Sequence, residues 1–430
     1  MGGESGIGRT GPWGDLGYVY TMRARFSGFL GLVLGAGLLV PACGLETQGT
    51  GTSVGAAGLE DAGDEFGKQP GINKDATADS PDPTEASVDT GADAPSVPFP
   101  ANLAPTVFDA AKVDGPTGSL VTVNTSLASC TISQGNAAEL LDCSNNAFVV
   151  ISVVNWTVPD LEVTGDRPLV IVAKGNVIVS GSIKLGALGK AGGPGAVTLG
   201  AGGKGNDGGG GGKRSGGGGG GHGAPGAAAG TAGNGAVAGG LAGVTYGAFA
   251  DLTGGSPGGD GPAVADDCGR GGGGGGALQI SAQGTLSFVP GGAILASGGG
   301  GLGGCGEYGG GGGGSGGTVI LEAQGGVTLS AARIIATGGG GGGGGAGGGG
   351  GANGGNGANG DDDGGGGGDP ADADATKGGK GGGAEAAKSS APAKKPSGGG
   401  GGGVGRIYVR NAKGDTTGST VVPAVSLVPL

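Results

Sequence analysis

Three segments of the chain share one pattern of apolar and polar positions. PLVIVAKGNVIVSGSIKLGA fills 168–187, ALQISAQGTLSFVPGGAILAS fills 277–297, and TVILEAQGGVTLSAARIIAT fills 318–337. Each opens with an alternating run ending in alanine (Ala173, Ala282, Ala323) and passes a glycine one or two residues on. A second alternating run, a break and a third short run entering glycine complete the unit. Period-two alternation marks half-buried strands, which puts Leu169, Ile171, Leu278, Ile280, Val319 and Leu321 on one inward face. GRIYVRNA at 405–412 reads as the first strand of a fourth copy, adding Ile407 and Val409. Upstream, SLVTVNTS, AFVVISVVNWTV and DLEVTG supply further strands that form leading coils or a cap.

Three short strands per unit, each unit burying its apolar face only against its neighbours, suit a solenoid. The predicted fold is therefore mainly β, a right-handed parallel β-helix with long Gly-rich insertions at its corners. The competing reading is a Greek-key or sandwich β domain interrupted by long loops. Near-constant unit length and the shared Ala-to-Gly break favour the solenoid.

Composition changes this picture in one respect. Of 430 residues 123 are Gly, and aromatic residues make up 3%, so only the Val-, Ile- and Leu-rich stretches can offset the entropy of folding. Fifteen of residues 298–317 and thirteen of residues 338–351 are Gly. Ordering fourteen such residues costs on the order of 14–28 kcal/mol of backbone entropy. Either these tracts stay disordered, expected for isolated loops, or they pair laterally as three-residue-per-turn helices of the polyproline II class where several lie side by side.

Charge is concentrated upstream of the repeats: eleven acidic residues face Lys68 and Lys74 between 44 and 100. With little hydrophobicity, that stretch reads as a solvated, self-repelling tether. The formal net charge of −12, without clustered bases, argues against a nucleic-acid partner. From Met22 two arginines, an apolar run from Phe26 to Val40 and a small residue before Cys43 follow the order of a secretory signal. The apolar run is too short for the roughly 20 residues that span a bilayer.

Val40-Pro41-Ala42-Cys43 resembles the lipobox of bacterial lipoproteins, although Pro41 stands where Ala or Ser is usual. The resemblance implies cleavage before Cys43, lipidation of its sulfur and, with Gly44 rather than Asp following, the outer membrane. The expected layout is 1–21 ahead of the true start, 22–42 signal peptide, and 43–100 lipid anchor and disordered acidic linker. Beyond these come 101–167 as β-rich N-terminal coils or cap and 168–430 as the solenoid. The glycine-rich repeats over roughly 168–412 resemble β-helix-like lipoproteins of soil-dwelling predatory bacteria. The tracts resemble those of mycobacterial PE-PGRS proteins, though no proline-glutamate domain is present. Both resemblances imply surface exposure.

Cys130, Cys143, Cys268 and Cys305 form an even set with three pairings; the expected bridges are Cys130 with Cys143 and Cys268 with Cys305. Spacings for a zinc site are lacking. Catalytic signals are weak. His222 lies in GGGGGGHGAPG, and Ser256 and Ser315 fit the G-x-S-x-G pattern only as this composition allows by chance, with His222 preceding both. GGGGGKRS ends at Ser215 with Arg214 where a phosphate loop needs Ser or Thr after Lys213. Asp361, Asp362, Asp363, Asp369, Asp372 and Asp374 are weak calcium candidates without EF-hand or RTX spacing. Lys174, Gln283, Gln324, Glu322, Tyr408 and Arg410 occupy outward strand positions, a polar ladder able to contact polysaccharide. No catalytic residue, metal or cofactor is assigned. The expected function is a non-enzymatic outer-membrane lipoprotein, at the cell surface or facing the periplasm, structural or adhesive, with a membrane partner through its lipid and an envelope or extracellular polysaccharide as a second. A carbohydrate-active or carbohydrate-binding β-helix is the alternative.

Overall fold

A computed structural model describes residues 99–428 apart from 136, 198–202, 209–212, 249–250, 263–266, 348, 358–362 and 414–417. The strands in chain order are β1 (Leu120–Thr125), β2 (Cys130–Ile132), β3 (Leu141–Asp142), β4 (Val149–Val153), β5 (Trp156–Val158), β6 (Asp160–Thr164), β7 (Leu169–Ala173), β8 (Val177–Val179) and β9 (Ser182–Lys184). After the first glycine insertion come β10 (Ala277–Ala282), β11 (Thr285–Phe288) and β12 (Ala293–Leu295). The rest are β13 (Thr318–Thr328), β14 (Arg333–Ile335), β15 (Arg406–Ala412), β16 (Thr420–Val422) and β17 (Ser426–Val428). Among the described residues helix is confined to a 3-10 segment, Pro105–Ala110, and one turn, Ala137–Leu140.

The strands form two sheets, of mixed pairing overall. First strands of successive units pair in parallel and in register: Val149, Leu169, Leu278, Val319 and Ile407 align. Second strands align Trp156, Val177, Leu286 and Val327. Third strands align Leu161, Ile183, Ile294, Ile334 and Val421. Residues 149–164 thus make a complete unit stacked in register on 169–184, although their sequence only suggested leading coils or a cap. Antiparallel pairing occurs at the leading end, where β2 folds back on β1 and β3 on β4. The Cys130–Cys143 disulfide ties the start of β2 to the residue after β3, and these two reversals take the sheets away from the all-parallel arrangement.

The expected inward residues Leu169, Ile171, Leu278, Ile280, Val319, Leu321, Ile407 and Val409 sit in one apolar cluster. Their strands are not half-buried, however. β4, β7 and β10 are buried at every position. The cause is a strap formed by residues 99–111. Phe108 packs on the outward Val150, Val170 and Val172, joined by Phe99, Leu103, Val107, Phe148 and Leu252.

The glycine tracts are ordered, and their hydrogen-bond partners recur every three residues, the repeat of the polyproline II class. The tract leading into β13 illustrates the packing. Gly310, Gly313 and Gly316 donate to Ser397, Gly400 and Gly403, while Gly311, Gly314 and Gly317 donate to Leu302, Gly299 and Ala296. Gly312 and Ser315 donate to Gly259 and Ser256. The same tract accepts from Gly217 and Gly220, from Gly339 and Gly342, and from Gly272 and Gly275. Glycine tracts therefore surround it, and of the two alternatives open in the sequence the lateral pairing of side-by-side tracts is the one found here.

A methyl on Gly312 would collide with the Gly218 carbonyl and one on Gly314 with the Gly273 carbonyl. Boundary tracts differ in one row of three. Gly378 and Gly381 donate to one neighbour, Gly379 and Gly382 to another, and the remaining row carries Lys377 and Lys380. In the tract 351–357 that row holds Asn353 and Asn356, whose Oδ1 atoms accept from the amides of Gly303 and of Gly300 and Gly189.

Gly312→Ala should lower stability by about 1–3 kcal/mol through overpacking. Gly366→Ala, where nothing lies within 4 Å of the added carbon, should be neutral or slightly stabilising. Thermal unfolding of the two variants beside the parent checks the contrast, and equal melting temperatures would contradict the packing described.

Candidate functional site

The outward face of the first strands carries the densest polar chemistry among the described residues, and it is covered. Alternation on β10, β13 and β15 sends Gln279, Ser281, Glu322, Tyr408 and Arg410 away from the apolar interior. Registers place Ser281 beside Glu322 and Glu322 beside Arg410. Glu322 and Arg410 are both 0% exposed. Arg410 Nη1 donates to Glu322 Oε2 at 2.8 Å, and Gln279 Nε2 and Ser281 Oγ donate to Oε1 at 3.0 and 2.6 Å. The strap completes the arrangement. The Ala101 amide donates to both carboxylate oxygens, at 2.9 and 3.2 Å. Gln279 Nε2 also reaches the Ala101 carbonyl at 2.6 Å, and Asn102 Nδ2 reaches Gln279 Oε1 at 3.1 Å.

A buried carboxylate is tolerated only when paired and hydrogen-bonded, and Glu322 has both kinds of partner. The expected polar ladder therefore divides. Glu322 and Arg410 belong to a buried clamp that holds the strap, Tyr408 is buried beside them on β15 with its hydroxyl accepting from Arg406, and only Lys174, Gln283 and Gln324 are exposed. These three follow the aligned alanines, Ala173, Ala282 and Ala323, at one corner of the stack.

The catalytic candidates cluster next to this face without forming a catalytic arrangement. His222, 1% exposed, directs Nδ1 at the Gly316 carbonyl, 2.9 Å away, which puts the proton of the neutral ring on Nδ1. Its Nε2 lies 3.3 Å from Thr318 Oγ1, a hydroxyl that donates to the Thr253 carbonyl at 2.6 Å. Tyr246 packs on the imidazole at 4.8 Å between centroids. Ser256 Oγ sits between the Gly203 and Gly221 carbonyls at 2.7 and 2.6 Å, and Ser315 Oγ accepts from the Ser256 amide at 2.8 Å. Both serines serve the glycine packing, and neither hydroxyl bonds to His222. Burial pulls the His222 imidazole down to about 4, helped by the charge of Arg406 and opposed by the Gly316 carbonyl. Burial also pushes the Tyr246 hydroxyl upward.

The remaining candidates are charge-compensated at the surface. Lys213 lies over the Tyr308 ring at 5.5 Å and Arg214 pairs with Glu307 at 3.2 Å. Of the calcium candidates, Asp361 and Asp362 lie outside the described residues. Asp363 pairs with Lys380, Asp369 with Lys377, and Asp372 and Asp374 with Lys395, at 2.8–3.3 Å. No metal-holding group of His, Cys, Asp or Glu occurs among the described residues. Both disulfides have the expected pairing, Cys130–Cys143 and Cys268–Cys305. Cys43 and the signal segment lie outside the described residues, among which no helix is long and apolar enough to cross a membrane.

The clamp under the strap escaped the sequence reading because its cover comes from residues 99–103, 221 positions from Glu322. The glycine packing did leave a signal. Non-glycine residues recur at spacing three in boundary tracts, as in Asn353 and Asn356, Lys377 and Lys380, and Leu241 and Val244. Comparison with protein-family models, with curated proteins and with solved structures finds no match to this chain.

The His222 shift sets a pH dependence. The unfolded ring takes up its proton near 6.5 and the folded one near 4. Its contribution, up to about 3 kcal/mol, is present above pH 6.5 and is lost as pH falls from 6.5 to 4. His222→Gln should flatten that limb of a stability-against-pH curve. Denaturant titrations between pH 4 and 7 check this, and an unchanged limb would assign it to other groups.

Proposed function

We propose that the chain is a non-enzymatic lipoprotein of the cell envelope, anchored through Cys43 at the outer membrane and serving a structural or adhesive role toward envelope or extracellular polysaccharide. The observation that carries the reading is the use made of four side chains that the sequence offers for catalysis. His222, Ser256, Ser315 and Glu322 are each buried in hydrogen bonds that hold glycine tracts or the strap. A catalytic base or nucleophile needs reach to a substrate, and these groups are committed to the protein's own backbone. The exposed surface, by contrast, offers repeated polar positions on an ordered body.

The finer architecture belongs to the same proposal. Parallel, in-register first, second and third strands support a right-handed parallel β-solenoid, since parallel crossovers within a sheet are right-handed in nearly all proteins. The resemblance to glycine-rich β-helix-like surface lipoproteins supports it too. The lipobox-like Val40-Pro41-Ala42-Cys43 and the acidic stretch to residue 100 support a lipid anchor and a spacer, two acyl chains being enough for stable attachment.

The test uses the full chain expressed with its leader. Metabolic labelling with a fatty-acid analogue should mark the parent, while Cys43→Ser should lose the label and leave the membrane fraction. Incubation of the parent with envelope and extracellular polysaccharides should give retention without released fragments. Membrane attachment unchanged by Cys43→Ser would sink the anchor, and release of chain ends would make the protein an enzyme.

A further inference from the structure

A concave surface lies along the outward face of the third strands. Two cavities of about 670 and 680 Å³ adjoin there and share Gly165, Gly192 and Gly193. The floor of one is a row of side chains from successive units, Glu162 on β6, Lys184 on β9 and Leu295 on β12, which the strand registers align. It therefore runs across the strands, along the stacking direction. The turn at Leu188 and Ala191 supplies one wall, with Leu188 73% exposed at the rim, and Asn356 supplies the other. The second cavity continues past Asp166 to the segment carrying Asp260, Asp267 and Arg270. The Cys268–Cys305 disulfide fastens that segment, so the wall is held in place before any ligand arrives.

We propose that this groove binds a neutral, extended oligosaccharide segment, a site that rests on the adhesive reading and gives it a location. Each cavity falls within the usual range for ligand sites, roughly 300–1,000 Å³. Its lining carries four carboxylates, Glu162, Asp166, Asp260 and Asp267, against three cations, Lys184, Lys190 and Arg270, and two pairs are formed: Lys190 with Asp267, and Arg270 Nη1 3.5 Å from Asp260 Oδ2. Such a lining, with one carboxylate in excess on a chain of formal charge −12, disfavours polyanions. It does offer polar side chains along its floor and at the junction of the two cavities, Glu162, Lys184 and Asp166. Vicinal hydroxyls satisfy such groups in pairs. Leu188, Pro194 and Leu295 supply apolar surface for the C–H faces of sugar rings.

The test is calorimetric titration of the full chain with cellohexaose, maltohexaose and chitohexaose, and with an oligogalacturonate of similar length. At least one neutral hexasaccharide should bind and the polyanion should not. Ala191→Trp, on an exposed turn, fills the groove and should weaken binding at least tenfold. Lys184→Ala, a surface change on β9, should weaken it several-fold. Thr157→Trp, exposed on β5 and outside both cavities, should leave it unchanged, with all three variants melting near the parent. Binding that persists undiminished in both Ala191→Trp and Lys184→Ala would overturn the groove while leaving the adhesive reading intact. Preference for the oligogalacturonate would overturn the neutral ligand. Absence of binding to every neutral hexasaccharide at millimolar concentration, with the parent still retained on a polysaccharide, would overturn this site alone. Absence of both would remove the adhesive reading with it.

Discussion

The hydrogen bond from a glycine amide on one tract to a carbonyl on the next is the interaction on which the rest of the structure depends. It can form only where the backbones approach closer than a Cβ allows. Around Gly312 and Gly314 the neighbouring carbonyls already occupy the space a methyl would need. Glycine is therefore required in these tracts for the same reason that it is required at the axis of a collagen triple helix, close backbone approach in a three-residue repeat. Buried amides and carbonyls are costly when unpaired. Once several tracts lie together, pairing satisfies them and burial excludes water. The arrangement is cooperative: a lone tract has no partners, whereas a central one bonds on every side.

That cooperation ties the glycine body to the β stack. Tracts lead directly into β10, β13 and β15 and leave from β12 and β14, so the registers of the strands set the spacing of the tracts. Ala296, which follows β12, accepts from Gly317, and Gly405, which precedes β15, donates to Ala336. The ladder of strand hydrogen bonds thus passes into the ladder of glycine hydrogen bonds without a gap. The few larger groups inside this continuum are polar and small, and Ser256 and Ser315 show the pattern, their hydroxyls standing in for backbone groups. The same hydroxyls would look like nucleophiles to a motif search. Their surroundings make them packing elements.

Much of the β stack was legible in the sequence, because alternation and a recurring Ala-to-Gly break are local properties that each unit repeats. Leu169, Leu278 and Val319 could be aligned by eye, and the structure pairs those residues. The disulfides were legible for a related reason: each joins cysteines close in sequence, 13 and 37 residues apart. What escaped was non-local. The strap's Ala101 meets Glu322 only because the first strands stack in a row that brings distant residues together. Burial of Val150 and Val172 on the outward face follows from the same strap and has no signature within their own strands. The choice between disorder and lateral pairing of the glycine tracts stayed open because composition assigns each residue its entropy separately, whereas their stability belongs to the array.

A body built this way separates support from recognition. Any side chain placed inside the glycine array displaces a neighbour, so variation is confined to the boundary row of each outer tract and to the corners and outward faces of the strands. Lys377 and Lys380 occupy such a row, and their exchange for other residues would leave the inner rows of amides paired as before, whereas Asn353 and Asn356 in the equivalent row accept from the amides of Gly303, Gly300 and Gly189. The groove floor obeys the same rule: Glu162, Lys184 and Leu295 differ in chemistry at aligned positions, while the adjacent inward Leu161, Ile183 and Ile294 are uniformly apolar. Differences at positions equivalent by register are free of the packing constraint, and they are where a selective surface can be written onto a repetitive scaffold.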